Sequence, residues 1–311
     1  MSLAPIVLFT YNRPKHLKIT LDSLKKNKLS KKSDIHIFSD GPKTTNKLEL
    51  KKIKAVKKIL INLRGFRNKK LFFYKSNVGL KKNILNGISK ILKKYSKIIV
   101  LEDDIVVNQY FLDFMNQSLD FYKKNKKIWH ISGWNYNLKK INVDNLNSKD
   151  GKTFFIKNMN CWGWGTWRNR WEKIIINPEF FIKKMSNKKI YDFNLSDSLN
   201  NWSQLTRNKT NKLNTWAIFW NATIFYYNGL CLNPIKTLTK NIGLDGSGAN
   251  SSIQKKDNSR PSKVNFFIFS KIIKENLTLR NEIIAHMKLK NKKDKWDNFK
   301  RKFYSIFRVY M

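Results

Sequence analysis

Four short apolar runs recur through the first hundred residues: 4–11 ("APIVLFTY"), 34–39 ("DIHIFS"), 70–75 ("KLFFYK") and 97–101 ("KIIVL"). The stretches between them are of about helical length and place apolar residues on one helical face, as in Leu17, Leu21, Leu24 and in Ile84, Ile88, Ile91. Strands alternating with helices predict an α/β fold with a mostly parallel, doubly wound sheet. Such a sheet binds its ligand in a crevice at the carboxyl ends of its strands. The polar punctuation of this chain falls there: "TYNRP", "SDGP", "SNVG" and "EDD" follow the four runs in turn.

The last of these is the most unusual. A chain with 63 basic and only 21 acidic side chains sets Glu102, Asp103 and Asp104 together at the mouth of a buried strand. Three adjacent carboxylates repel one another unless a cation or a hydrogen-bond network offsets them. One reading is a helix N-terminus, with "DDIVVNQYFLDFM" starting a helix at Asp104 or Asn108, where acids favour the dipole. The other is a hard divalent cation, Mn2+ or Mg2+, which takes one or two carboxylates and completes its shell with water and substrate phosphates. Zinc fits poorly, because His16, His36, His130 and His286 are scattered and form no ligand spacing with Cys161 or Cys231.

The formal charge of +42 raises the question of an anionic partner, but only ten of the basic residues are Arg, the side chain suited to bidentate recognition of bases and phosphates. One reading of the excess Lys, with the many Asn, is a compositional habit; the other is an anionic partner surface, membrane or nucleic acid. With the motifs of the chain taken into account, no nucleic-acid partner is expected. "MSLAPIVLFTYNRP" has neither the basic start nor the cleavage pattern of a secretory leader. Residues 213–235 are uncharged, yet Asn214, Asn221, Asn228, Asn233 and Pro234 interrupt them, which predicts a buried helix and strand rather than a membrane span. Two cysteines suit free thiols in a reducing compartment, with one disulfide as the alternative, and the chain reads as cytoplasmic. Beyond residue 130 come "CWGWGTWRNRW", a helical stretch at 196–208, "NTWAIFWNATIFYYNG" and the loop "NIGLDGSGANSS". Residues 263–311 alternate apolar and basic residues at helical spacing, with Trp296, Phe299, Phe303 and Phe307 among Lys and Arg. This basic amphipathic segment either packs on the domain or lies on the inner face of a membrane as a peripheral anchor.

The segments "IVLFTYNRPKHLKITLDSL", "IHIFSDGPK", "SNVGLKKNILNGI", "VLEDDIVV", "NCWGWGTWRNRW" and "WAIFWNATIFYYNGLCLNP" with "NIGLDGSGAN" resemble, in order, the bacterial family 2-like glycosyltransferases of surface-polysaccharide synthesis. More distantly they are similar to the N-acetylglucosaminyltransferase I group, which shares the Glu-Asp-Asp motif. The resemblance covers about residues 4–250. It implies a GT-A (Rossmann-like) fold over 1–250, with a donor half to about 130 and an acceptor half beyond. It implies a metal-dependent, inverting hexosyl- or N-acetylhexosaminyl-transferase that uses a nucleotide-diphospho-sugar donor and a glycan or lipid-linked acceptor. By the same resemblance Thr10, Tyr11, Asn12 and Arg13 edge the base and ribose pocket, and Asp40 bonds the base. Asn77, Gly79 and Lys82 approach the nucleotide, although Lys81 stands where the family has a small residue. Asp103 faces the ribose, Glu102 accompanies it, and Asp104 is the metal ligand. Where the family carries an acid as general base this chain has Asn214, and where it carries an Arg this chain has Phe219, so either Asp245, Asp192 or Asp197 serves as the base or the enzyme is slow.

Ordinary readings stand beside these. Asp40-Gly41-Pro42 is also a turn, and Asn77-Val78-Gly79 a helix cap. Trp162, Gly163, Trp164 and Gly165 read as a sugar platform that backbone can approach closely, whereas Trp167 and Trp171, four apart, read as core. The Gly/Ser loop, with Asp245 and Ser247, reads as a lid or a plain loop. Two rival functions remain: a sugar-nucleotide nucleotidyltransferase, although "FTYNRP" is not its Gly-rich phosphate loop, and a basic nucleic-acid-binding protein without catalysis.

Overall fold

The computed structural model describes residues 2–136, 152–248 and 259–307. Its first half alternates as the sequence does: β1 (Ile6–Thr10), α1 (Pro14–Lys25), β2 (Asp34–Ser39), α2 (Lys47–Ile61), β3 (Asn68–Phe73), α3 (Leu80–Leu92) and β4 (Lys97–Glu102). Then follow β5 (Ile105–Val107), α4 (Phe111–Phe121), β6 (Ile128–Ser132), β7 (Thr153–Ile156) and β8 (Trp164–Trp167). Five short helices come next: α5 (Arg168–Trp171), α6 (Pro178–Lys184), α7 (Asn187–Phe193), α8 (Asn201–Lys209) and α9 (Ala217–Tyr226). The chain closes with β9 (Leu230–Pro234), β10 (Thr239–Asn241) and α10 (Leu277–Phe307).

Eight strands form one sheet in the order β3-β2-β1-β4-β8-β6-β9-β7. Six of them run in one direction and β7 and β8 oppose them, so the sheet is mostly parallel, as expected for a GT-A fold. The period of two along β1 divides the core. Ile6 and Leu8 pack with Leu17, Leu21 and Leu24 of α1 on one face, while Val7 and Phe9 pack with Ile84, Ile88 and Ile91 of α3 on the other. Pro14 at the first helical position starts α1 immediately after the strand-end loop.

Several expected boundaries move. No helix starts at Asp104 or Asn108; the β-branched run Ile105-Val106-Val107 pairs antiparallel with β10, and α4 begins at Phe111. The helix expected at 196–208 begins at Asn201, because Leu195, Ser196 and Asp197 adopt left-handed φ between 51° and 56° in the turn before it. The uncharged stretch 213–235 does form a helix and a strand, α9 and β9, and no helix among the described residues is long and apolar enough to cross a membrane. In α10, Leu279 and Ile283 are buried against Phe154, Ile156 and Leu195, and Asn291 Nδ2 donates to the Ser198 carbonyl at 3.0 Å. The side chains of Phe299, Phe303 and Phe307, and residues 249–252 of the Gly/Ser loop, lie outside the described residues.

Candidate active site

The carboxyl ends of β1, β2 and β4 open into a cavity of about 410 Å³. At its acidic end the β1–α1 loop is folded onto the Glu-Asp-Asp turn. Asp103 Oδ2 accepts from Thr10 Oγ1 at 2.8 Å and from the Tyr11 amide at 3.3 Å, and its carbonyl accepts from Thr20 Oγ1 at 2.9 Å. The Arg13 guanidinium lies between the two aspartates, bonded to Asp103 Oδ1 and to Asp104 Oδ2, the latter at 2.9 Å. Two of the three carboxylates therefore share the Arg13 guanidinium. Burial, with Asp104 and Asp103 adding repulsion, pushes Glu102 up to about 8. Burial also raises Asp103 and Asp104, against the opposing pull of Arg13. For Arg13 burial works against the charge, but the two aspartates outweigh it and hold its pKa above the ordinary value.

A second carboxylate organises the neighbouring wall. Asp40, at the end of β2, accepts from the amides of Gly41 (2.9 Å), Val78 (2.9 Å) and Gly79 (3.0 Å) and from Asn77 Nδ2 (3.0 Å). It thereby pins the β3–α3 loop and fixes the start of α3. The backbones meet so closely that a Cβ on Gly41 would lie 2.6 Å from the Ser76 carbonyl carbon. Both Asp40 oxygens are engaged within the chain, so its first task is to hold this loop.

The chain after β10 roofs the acidic end. The Ile242 amide donates to the Asp104 carbonyl at 2.9 Å, and a Cβ on Gly243 would fall 2.0 Å from Asp104 Oδ2 and 2.9 Å from an Arg13 nitrogen. Only glycine lets the backbone pass over this pair. Two residues on, Asp245 Oδ1 accepts from the amide and hydroxyl of Ser247, and its Oδ2 lies 3.1 Å from His16 Nε2. The Ser247 bonds, with His16 nearby, hold Asp245 down at about 2.

Of the residues singled out from sequence, Thr10, Tyr11, Asn12, Arg13, Asp40, Asn77, Gly79, Glu102, Asp103, Asp104 and Trp162 all line this cavity. Others stand elsewhere. Lys82 is exposed on the outside of α3, because the face turned inward at that turn carries Asn83. Trp164 is no platform: it is 1% exposed, stacked between His130 (5.1 Å) and Trp216 (5.5 Å) in the core. Gly163 and Gly165 serve packing, since a Cβ would meet Thr239 at 3.0 Å in the first case and the Ile98 carbonyl at 2.9 Å in the second. Asp197 lies in the α7–α8 turn beside Asn194, and Asp192 faces Arg280 of α10, both off the cavity. Asn214 is exposed just before the wall formed by Thr215, Trp216 and Ala217, and Asp245 sits outside a loop whose Leu244, Ser247 and Gly248 do line it.

The GNT-I family profile matches residues 1–181 of the 311. The chain belongs to the GNT-I family. No curated protein matches it by sequence. Among solved structures it is similar to Staphylococcus aureus TarS residues 1–349, at 14% identity and a TM-score of 0.41, over 76% of this chain and 59% of that one. It is also similar to the mannosyltransferase PcManGT of Pyrobaculum calidifontis in complex with GDP-Man and Mn2+ (8% identity, TM-score 0.40, 73% of this chain and 69% of that). The galactosyltransferase LgtC in complex with donor and acceptor sugar analogs gives 11% identity and a TM-score of 0.36, over 71% and 70%.

For this GNT-I family member the fit of a divalent cation can be judged from its own donor set. Among the described residues no three His, Cys, Asp or Glu side chains form a ready-made cage. What the site offers is a cavity-lining Asp104, of which Arg13 takes one oxygen, beside two further carboxylates with raised pKa. Clustered hard oxygens whose raised pKa values fall again once a cation is near suit an ion that brings part of its shell from a diphosphate. The residues fit. Asn241 and Gly243 belong to the loop read from sequence as a lid, though neither was singled out, and Asn83 and Trp216 were missed. Asn83 carried a signal, a polar residue inside the apolar stripe of α3; Trp216, whose indole bonds Glu102, is brought in from far along the chain.

Proposed function

We propose that this chain is a glycosyltransferase that moves a sugar from a nucleotide-diphospho-sugar to a glycan or lipid-linked acceptor. The observation that carries it is the convergence of Arg13, Asp40, Asp103 and Asp104 from three strand ends on one cavity, in a chain of the GNT-I family. The donor half, to about residue 130, holds the nucleotide between the Asp40-pinned loop and the β1–α1 loop. The acceptor half, about 131–250, supplies Trp162 and the wall from Thr215 to Ala217. Asp104, with Glu102 behind it, would hold Mn2+ or Mg2+, which when bound stabilises the departing diphosphate.

Arg13 is bonded to both aspartates and placed to meet phosphate oxygens, so charge developing on the leaving group is met by a preorganised cation. Closure of the Gly243 loop over Asp104 excludes water from the sugar–phosphate bond. The acceptor hydroxyl enters past Trp162, whose ring is held edge-on by Trp134 at 4.8 Å. Its proton goes to a base, and of Asp245, Asp192 and Asp197 it is Asp245 whose chain neighbours Leu244 and Ser247 line the cavity. Transfer with inversion, a role in surface-polysaccharide synthesis and attachment of α10 to an anionic membrane belong to the same reading. The test is a thermal-shift series with UDP-, GDP- and dTDP-sugars, each with and without Mn2+. One donor is expected to raise Tm in a metal-dependent way, because a ligand of the native state stabilises by mass action; a flat response to all of them refutes the proposal.

A further inference from the structure

We infer that Asn83 reads the edge of the donor's nucleobase. This rests on the proposal that the cavity is a nucleotide-sugar site. Asn83 is 2% exposed, it lines the cavity, and its carbonyl Oδ1 is buried with no hydrogen-bond partner. Three other buried side-chain atoms among the described residues share that condition, on His36, Ser39 and Trp134, and none belongs to a residue that lines the cavity. Buried polar atoms are almost always satisfied, so an orphan on a residue that lines a ligand-sized cavity marks a bond that a ligand completes.

The surroundings specify the kind of ligand. One turn further along α3, a Cβ on Gly87 would stand 2.6 Å from the Phe9 ring, so the helix is pressed onto Phe9, which is itself stacked on Phe38 at 5.4 Å. Leu80 and Phe9 line the same wall as Asn83. An apolar wall with one amide suits a flat ring with apolar faces and a polar edge. An amide offers an acceptor beside a donor, the complement of a base edge that presents N–H beside C=O or ring nitrogen. A phosphate is met instead by the Arg13 guanidinium of the β1–α1 loop.

Binding of UDP, GDP, ADP and CDP, and of ribose 5-diphosphate as a probe without a base, is measured calorimetrically in the presence of Mn2+ for wild type, Asn83→Leu and Asn83→Ala. The wild type is expected to prefer one base. Both variants should lose about 10- to 100-fold in affinity for it and bind the four nucleotides more nearly alike, while ribose 5-diphosphate is unaffected. Neither variant should melt below wild type without ligand, because each removes an unpaired buried carbonyl. Unchanged base preference in folded variants overturns the inference. So does an equal loss for ribose 5-diphosphate, which would place Asn83 on the ribose or phosphate. Failure of the wild type to bind any of the four overturns the donor-site proposal instead.

Discussion

Replacing Asp104 by Asn separates a carboxylate that holds a cation from one that holds the fold. The amide keeps the shape and can still accept from Arg13, so the 2.9 Å bond changes from charge-assisted to neutral, at a cost of about 1 kcal/mol. Against this, the variant removes one of three carboxylates whose pKa values are all raised by burial, and each unit of such a shift is about 1.4 kcal/mol of destabilisation in the charged state. The two effects oppose each other, and without metal the variant should melt within about 1 kcal/mol of wild type or above it. That is a change of about 2–4 °C in Tm for each kcal/mol. With Mn2+ and a nucleoside diphosphate at about 100 times Kd, the wild type should gain about 2.7 kcal/mol. The variant should gain none of the metal-dependent part. The assay is a pair of melting curves, with and without Mn2+, at fixed nucleotide. A metal-free loss of more than about 3 kcal/mol would show that Asp104 supports the fold, and an undiminished Mn2+ response would show that it is not the ligand.

Three further outcomes are expected. Gly243→Ala places a methyl where Asp104 Oδ2 now lies, so the roof must lift; stability should fall by about 1–3 kcal/mol and nucleotide affinity with it, and a variant indistinguishable from wild type in melting and calorimetry would contradict that packing. His130 is fully buried, donating from Nε2 to the Asn160 carbonyl and accepting from Trp220 Nε1, and burial lowers its pKa to about 3. Below pH 6.5 the unfolded chain binds a proton that the folded one refuses, so its contribution falls as pH drops from about 6.5 towards 3. About 2 kcal/mol should be lost by pH 5 in wild type relative to His130→Gln, read from denaturant unfolding; taking the difference removes the opposite trend of the raised carboxylates. Deleting residues 288–311 should abolish flotation with anionic liposomes, while the buried anchor at Leu279 and Ile283 keeps the rest folded by circular dichroism; flotation that persists rules out lipid attachment through α10.

The alternation of apolar runs and helical stretches determined the parallel half of the sheet, because the periods of 2 and 3.6 are local properties of the chain. Ile6 and Leu8 had to face away from Val7 and Phe9 wherever the strand lay. The same pattern placed the polar strand ends, and with them Arg13, Asp40, Asp103 and Asp104, at one crevice. Helical phase is a finer matter: one residue is a rotation of about 100°, and it put Asn83 in the cavity and Lys82 in solvent. What no local pattern could supply is which distant segments meet. The run after Asp104 became a strand only because β10 pairs with it, and Gly243 became irreplaceable only because that pairing carries its backbone over Asp104. Trp164 left the cavity for the core because His130 and Trp216, from separate elements, close on both its faces. Asp197 and Asp192 are as acidic as Asp104, but the fold turns them towards Asn194 and α10, where they face no cavity.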